Sequence, residues 1–279
     1  MDKFSPAELT ANYSAIGAKK ASAPAWRMLL LGIPAGFLIG MGSAVANTAA
    51  HAIDNVSAAR IICGLLFPFG LGMVILIGAE LFTGNCLIVI SALDRKASAA
   101  GMLKNWLLVY FGNAIGAMAL AAGCVASGQL NYSGGALAAY TIKAAAAKCS
   151  LPFASAVIMG VLCNVLVCVG VLCALTARDT AGTIAGAFIP VAFFVICGFE
   201  HSIANMFSIP AGLFAAGVPA YSIKAAELGI DASALTWGGF VFKNLLPVTI
   251  GNIIGGAAVG ALMWACHLRG QPSAPSRKR

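Results

Sequence analysis

The sequence predicts an all-α integral membrane protein with six transmembrane helices in two inverted three-span repeats, spans 2 and 5 being broken. Three observations carry this. Only 9% of the 279 residues are charged and 60% are hydrophobic, whereas a soluble domain carries about 25% charged residues. So few charges cannot cover a water-facing surface, which leaves a surface that faces lipid. The apolar residues fall into stretches long enough to cross a hydrocarbon core of about 30 Å. Finally, a motif in the first half recurs in the second.

The elements follow in order. Residues 1–27 are expected to hold an N-terminal interfacial helix. Ser5, Pro6 and Glu8 supply an N-cap, a first-turn proline and an N3 glutamate, and Leu9, Tyr13 and Ile16 share one face. The apolar run after Arg27 is too long for the core of a signal peptide. Residues 28–127 form the first repeat, with spans at 28–50, 61–93 and 106–125. Residues 128–150 are read as an external loop. Residues 151–266 form the second repeat, with spans at 149–177, 183–213 and 244–266. Residues 267–279 are a basic cytoplasmic tail.

The second and fifth spans are overlong. A straight helix over 61–93 would measure roughly 50 Å. That stretch holds Pro68 and an interior acid, Glu80, and 183–213 holds Pro190, Glu200, His201 and Pro210. Both read as helices broken inside the membrane.

The repeat fixes their relation. Lys104-Asn-Trp-Leu-Leu-Val-Tyr-Phe-Gly-Asn-Ala-Ile-Gly116 matches Lys243-Asn-Leu-Leu-Pro-Val-Thr-Ile-Gly-Asn-Ile-Ile-Gly255 at eight of thirteen positions. Glu80 and Asn85 match Glu200 and Asn205 at the same spacing. Three spans separate the paired motifs, so the halves have opposite orientation, and a pathway is expected where the broken helices meet. With both termini inside, twelve Lys and Arg residues lie on that side against five outside, namely Arg60, Lys143, Lys148, Lys224 and Lys243. This bias expects cytoplasmic termini in a cell inner (plasma) membrane. The net charge of +8 is thus a topology signal and not a nucleic-acid patch. The nine cysteines lie mostly in apolar runs with no metal-ligand spacing and read as packing residues.

An ionisable residue at membrane depth is a functional hypothesis by default. Glu80, Glu200 and His201 are the candidates. Helix breaks expose N–H groups and positive dipole ends, which attract an anion. His201 and Thr83 could supply fixed donors or exchange a proton with a weak acid. Glu80 and Glu200 read as supports that hold the broken loops, with Asn164 and Asn205 as partners of Glu200. Leu81, Phe82 and Phe194 flank the breaks, Phe67 and Leu71 lie earlier on the second span, and all could form hydrophobic constrictions. Lys148 lies at an outer edge where it could attract anions.

These residues resemble the formate/nitrite transporter family. The motifs are Leu81-Phe-Thr-Gly-Asn85, Lys104-Asn-Trp-Leu-Leu-Val-Tyr-Phe-Gly-Asn113, Gly198-Phe-Glu-His-Ser-Ile-Ala-Asn-Met-Phe207 and Asn244-Leu-Leu-Pro-Val-Thr-Ile-Gly-Asn-Ile-Ile-Gly-Gly256. They cover spans 2 to 6 in order. The resemblance implies an aquaporin-like fold and a homopentamer with one pore per protomer. It implies that His201 is the central pore histidine with Thr83 as its partner, that Leu81 and Phe194 form an inner constriction, and that Phe67, Leu71 and Phe82 lie nearer an outer one. Lys148 matches an outer-vestibule lysine, and Glu200, Asn164 and Asn205 a supporting network. The implied substrates are small monovalent anions such as formate, nitrite and hydrosulfide, with protons in some members, and no cofactor or metal. Glu80 stands where some members carry aspartate, and both are carboxylates. Two other classes fit less well. An aquaglyceroporin would need an Asn-Pro dipeptide, which the sequence lacks, and an intramembrane enzyme would need a motif such as His-Glu-x-x-His or Gly-x-Ser-x-Gly, also lacking.

Overall fold

The computed structural model describes residues 3–270. Residues 271–279 of the expected basic tail lie outside the described residues. Every regular element described is helical. The first half comprises α1 (Pro6–Ser22), α2 (Ala25–Ala50), α3 (Val56–Leu66), α4 (Phe69–Leu76), α5 (Phe82–Asn85), α6 (Val89–Leu93) and α7 (Ala99–Ala126). The second comprises α8 (Ala136–Cys149), α9 (Phe153–Thr176), α10 (Thr180–Cys197), α11 (Ser202–Ala216), α12 (Pro219–Glu227) and α13 (Leu246–His267). A π-helical segment, Gly239–Leu245, runs directly into α13.

Six helical segments are long and apolar enough to cross a membrane: α2, α3 with α4, α7, α9, α10 and the π segment with α13. The remaining apolar pieces, Phe82–Leu93 and α11, complete spans 2 and 5 beyond their breaks. The breaks fall at 77–81 and 198–201. Pro190 and Pro210 sit inside α10 and α11 instead of at the break. Each long half ends on a glycine in the left-handed region, Gly78 at φ 70° and Gly198 at φ 74°. Glycine enters that region without the steric penalty other residues meet, which is why the helices stop there.

The two halves pack alike. In the first, Gly32, Gly112 and Gly116 bring α2 and α7 into backbone contact; in the second, Gly160, Gly251 and Gly255 do the same for α9 and α13. Between apolar helices in lipid, close packing of small residues replaces the hydrophobic drive.

Helix α1 is capped by the reciprocal Ser5–Glu8 pair. Its stripe of Leu9, Tyr13, Gly17 and Ala21 is buried against protein, and Gly17 lets it approach Ser91 closely. Beyond the interfacial placement expected for it, α1 therefore docks on the bundle. Tyr13 Oη donates to the Gly84 carbonyl at 3.1 Å, and the Arg178 guanidinium lies 4.7 Å over the Phe4 ring.

A further anchor is Asp94, which accepts from Ser14 Oγ at 2.6 Å and pairs with Lys96 at 2.8 Å. Burial pushes its carboxyl up, but Lys96 and Ser14 outweigh this and hold it below its ordinary value. A carboxyl lowered on folding stabilises the structure above its unfolded pKa, about 3.9, and that contribution is lost as pH falls through the depressed value. Hydrogen-exchange protection of α1, corrected for intrinsic rate, is expected to fall below about pH 4. Asp94→Asn is expected to remove that acid step.

The stretch 128–150, expected as an external loop, contains α8. Leu137, Ala138, Ala139, Ile142, Ala145 and Ala146 are buried in it. Alanine favours helix and presents little bulk, so α8 lies close on α11, with Ala145 against Gly212. Hydropathy missed it because it is short and carries Lys143 and Lys148.

Candidate functional site

The site grows from the two breaks, and the repeat builds each break from the same parts. Asn113 of α7 accepts from the Phe82 amide at 3.0 Å and donates to the carbonyls of Gly32 at 2.7 Å and Glu80 at 2.9 Å. Asn252 of α13 accepts from the Ser202 amide at 2.9 Å and donates to the carbonyls of Gly160 at 2.8 Å and Glu200 at 3.1 Å. One asparagine thus satisfies the backbone groups freed by each break, as buried polar groups require.

The acids are held by matching sets. Glu80 pairs with Lys20 at 3.1 Å and accepts from Asn85 at 2.6 Å, while Asn85 donates to Asn105 at 2.8 Å and Asn105 donates to the Lys20 carbonyl at 3.2 Å. Glu200 pairs with Lys148 at 2.7 Å and accepts from Asn205 at 2.6 Å and Asn244 at 3.1 Å, while Asn244 donates to the Lys148 carbonyl at 3.0 Å. Helices α1 and α8 are therefore counterparts, each bringing one lysine to one break.

The symmetry fails at the centre, where Leu81 corresponds to His201 and Thr83 to Ile203. His201 caps α11: its Nδ1 accepts from the Ala204 amide at 3.1 Å. A backbone N–H only donates, so in the neutral ring the proton sits on Nε2. Nε2 then donates to Thr83 Oγ1 at 2.9 Å across 118 residues of sequence. Thr83 and His201 are both buried. With its oxygen accepting from His201, the Thr83 hydroxyl proton is free to be donated to a third partner, and an anion is such an acceptor.

The other expected residues are placed as follows. Phe194 stacks on His201 with centroids 5.9 Å apart and meets Phe67 edge-on at 5.7 Å. Leu81 and Leu71 instead line a cavity of about 210 Å³ on the α1 side, with Tyr13, Lys20, Glu80 and Asn85. The expected pairing of Leu81 with Phe194 and of Phe67 with Leu71 is thus exchanged. The reason is register: Phe67 lies a helical turn nearer the α8 side than Leu71, and Phe194 lies at the end of α10 that returns to His201. Phe82 directs its ring to Tyr110 at 4.9 Å and Trp106 at 6.4 Å. Asn164 does not touch Glu200 as expected. It donates to the carbonyls of Thr83 at 3.2 Å and Asn252 at 2.6 Å, because it stands on α9 between α5 and α13. Lys148, expected at an outer vestibule, is engaged by Glu200 and keeps only 26% side-chain exposure.

Sequence reasoning missed Lys20, Asn105, Asn113, Asn244 and Asn252 as parts of the site. For the four asparagines the signal was present in the recurring Lys-Asn and Gly-Asn pairs of the repeated motif; Lys20 lies outside it. Among the described residues no group of three His, Cys, Asp or Glu could hold a metal ion.

Comparison with known proteins bears on the family and the fold. Residues 7–266 match the family described as Formate/nitrite transporter. A probable formate transporter of Methanothermobacter thermautotrophicus is 37% identical over 95% of this chain and 97% of its own length. The formate channel FocA of Escherichia coli is 34% identical over 96% of both chains. A solved pentameric formate channel with formate bound superimposes with a TM-score of 0.78 at 32% identity, covering 90% of this chain and 99% of that one.

Proposed function

The chain belongs to the formate/nitrite transporter family, and from that premise we propose that it passes small monovalent anions, formate first among them, through one pathway in each protomer of a homopentamer. The observation that carries the reading is the buried Thr83–His201 pair between the two breaks, which leaves one hydroxyl proton to donate to an anion. Formate as the leading substrate is supported by the relatives named for it, and the pentamer by the solved channel. The bias of basic residues supports an inner-membrane orientation with the α1 side cytoplasmic.

An ion entering a low-dielectric medium loses about 20 kcal/mol in the idealised Born limit. Donated hydrogen bonds offset part of this, and a proton offsets more. For the anion to take a proton through Thr83, His201 must first be protonated on its one bare ring nitrogen, Nδ1, because a neutral ring that gave up its Nε2 proton would become an imidazolate, and Nδ1 accepts from the Ala204 amide. Proton exchange at His201 therefore includes release and recapture of the α11 cap.

The test is flux into proteoliposomes of formate, nitrite, hydrosulfide, acetate and glycerol. Wild-type formate entry is expected to rise as external pH falls, with glycerol excluded. His201→Asn keeps an N-cap acceptor, since asparagine is a good cap, but removes the titratable ring. It is expected to fold normally and lose the pH dependence. Thr83→Val is expected to lower formate flux at least about tenfold, the loss of one charge-assisted hydrogen bond. Flux independent of pH, carrying one negative charge per anion, would defeat proton exchange in favour of a plain channel. Glycerol entry without anion flux would defeat the role given to His201.

A further inference from the structure

The charges around the pathway do not add up as the position of the lysines suggests. Lys20 is cancelled by Glu80 and Lys148 by Glu200, at 3.1 and 2.7 Å. Neither lysine leaves a net positive charge at its break. Arg60, exposed near the start of α3, forms no salt bridge among the described residues.

Its position is set by packing. Arg60, Gly64 and Phe67 follow one face of α3 at helical spacing. Gly64 lies against Ile196 and the Ala192 carbonyl, and Phe67 meets Phe194. One turn above Gly64, the Arg60 guanidinium lies over Gly198, the first residue of the second break. Three of its atoms are 3.1, 3.4 and 3.4 Å from where a Cβ on Gly198 would sit. The left-handed backbone calls for glycine there. Beneath it α10 ends, and the partial negative charge of a helix C-terminus holds a cation in place without neutralising it. Seven residues of helix separate Arg60 from Phe67, so the Arg60 backbone stands about 10 Å along the helix axis before Phe67.

We propose that Arg60 captures the anion at the α8-side mouth, ahead of the Phe67–Phe194 contact, and favours planar anions with two oxygens. The inference rests on the anion-transport reading. A guanidinium presents a rigid fork of donors that matches a carboxylate-shaped anion such as formate or nitrite, whereas a lysine offers only a point charge. An uncompensated charge at a mouth raises the local concentration of its counter-ion and is sensitive to salt.

The experiment measures initial formate and hydrosulfide entry into proteoliposomes against concentration, at low and high ionic strength, for wild type, Arg60→Gln and Arg60→Lys. Arg60→Gln is expected to raise the half-saturating concentration of both anions about threefold to tenfold, to leave the saturating rate within about twofold, and to flatten the salt dependence. Arg60→Lys is expected to match wild type for hydrosulfide and to fall between the two for formate. An unchanged half-saturating concentration in Arg60→Gln, with wild type transporting formate, overturns the proposal. So does an equal loss of saturating rate and thermal stability in both variants, which would make Arg60 only a helix cap. Wild type carrying no anion overturns the transport reading itself.

Discussion

Glu200→Ala is expected to cost more than any other single truncation at the site. The carboxylate is 4% exposed and takes hydrogen bonds from Lys148, Asn205 and Asn244. Removing it leaves an ammonium and two amide donors facing a void. Breaking a buried pair by deleting one partner costs about 3–5 kcal/mol. The low end applies here, because Lys148 keeps 26% of its side-chain surface in contact with solvent. Thermal unfolding in mild detergent should show a clear fall in midpoint, and formate flux should drop at least about tenfold as the His201 loop loses its hold. The informative comparison is Lys148→Met with Glu200→Gln. With neither charge left alone, the double variant is expected to be more stable than Glu200→Ala. A double variant no more stable than the single would mean that the pairing is not what holds the break. Glu80→Ala should act in the same direction but less, since Glu80 keeps more of its side chain exposed than Glu200, 13% against 6%.

Gly116→Leu should prevent the first half from assembling. A Cβ on Gly116 would fall on the Ile33 carbonyl oxygen and lie 2.9 Å from the Phe37 amide nitrogen. Both are backbone atoms of α2, so no side chain can swing aside. The helices would have to separate, and α7 would carry Asn113 away from the Gly32 and Glu80 carbonyls it serves. Overpacking usually costs about 1–3 kcal/mol, and a clash with backbone lies beyond that range. Gly255→Leu, which meets the Val161 backbone, should do the same to the second half. Gly123→Leu is the control: on the same α7, its Cβ meets nothing within 4 Å. Size-exclusion profiles and folded yield would separate the three. A Gly116→Leu protein that purifies and unfolds like Gly123→Leu would show that the close approach of α2 and α7 is dispensable.

Much of this arrangement was readable in one dimension. Low charge and long apolar runs placed the spans, and the repeated Lys-Asn and Gly-Asn positions marked two halves. Glu80, Glu200 and His201 stood out because ionisable groups in apolar runs are costly. The same motif also held Asn113 and Asn252, but nothing linear said that one asparagine would join two backbone groups of a broken span to a carbonyl of a third helix. Helix α8 escaped notice because it is short and interrupted by Lys143 and Lys148, although its alanines pack it closely against α11.

The sequence by itself determined the membrane class, the spans, the inverted halves and the family, because these depend on composition, period and motif order. Only the tertiary structure decided which groups meet. It set Thr83 against His201 across 118 residues, moved Asn164 from Glu200 to the Thr83 carbonyl, regrouped Phe67 with Phe194, and laid Arg60 over Gly198. Such contacts depend on how far α3 slides along α10 and how closely α5 approaches α11. Those distances follow from where glycines let helices touch, and a linear pattern of apolar residues does not encode them.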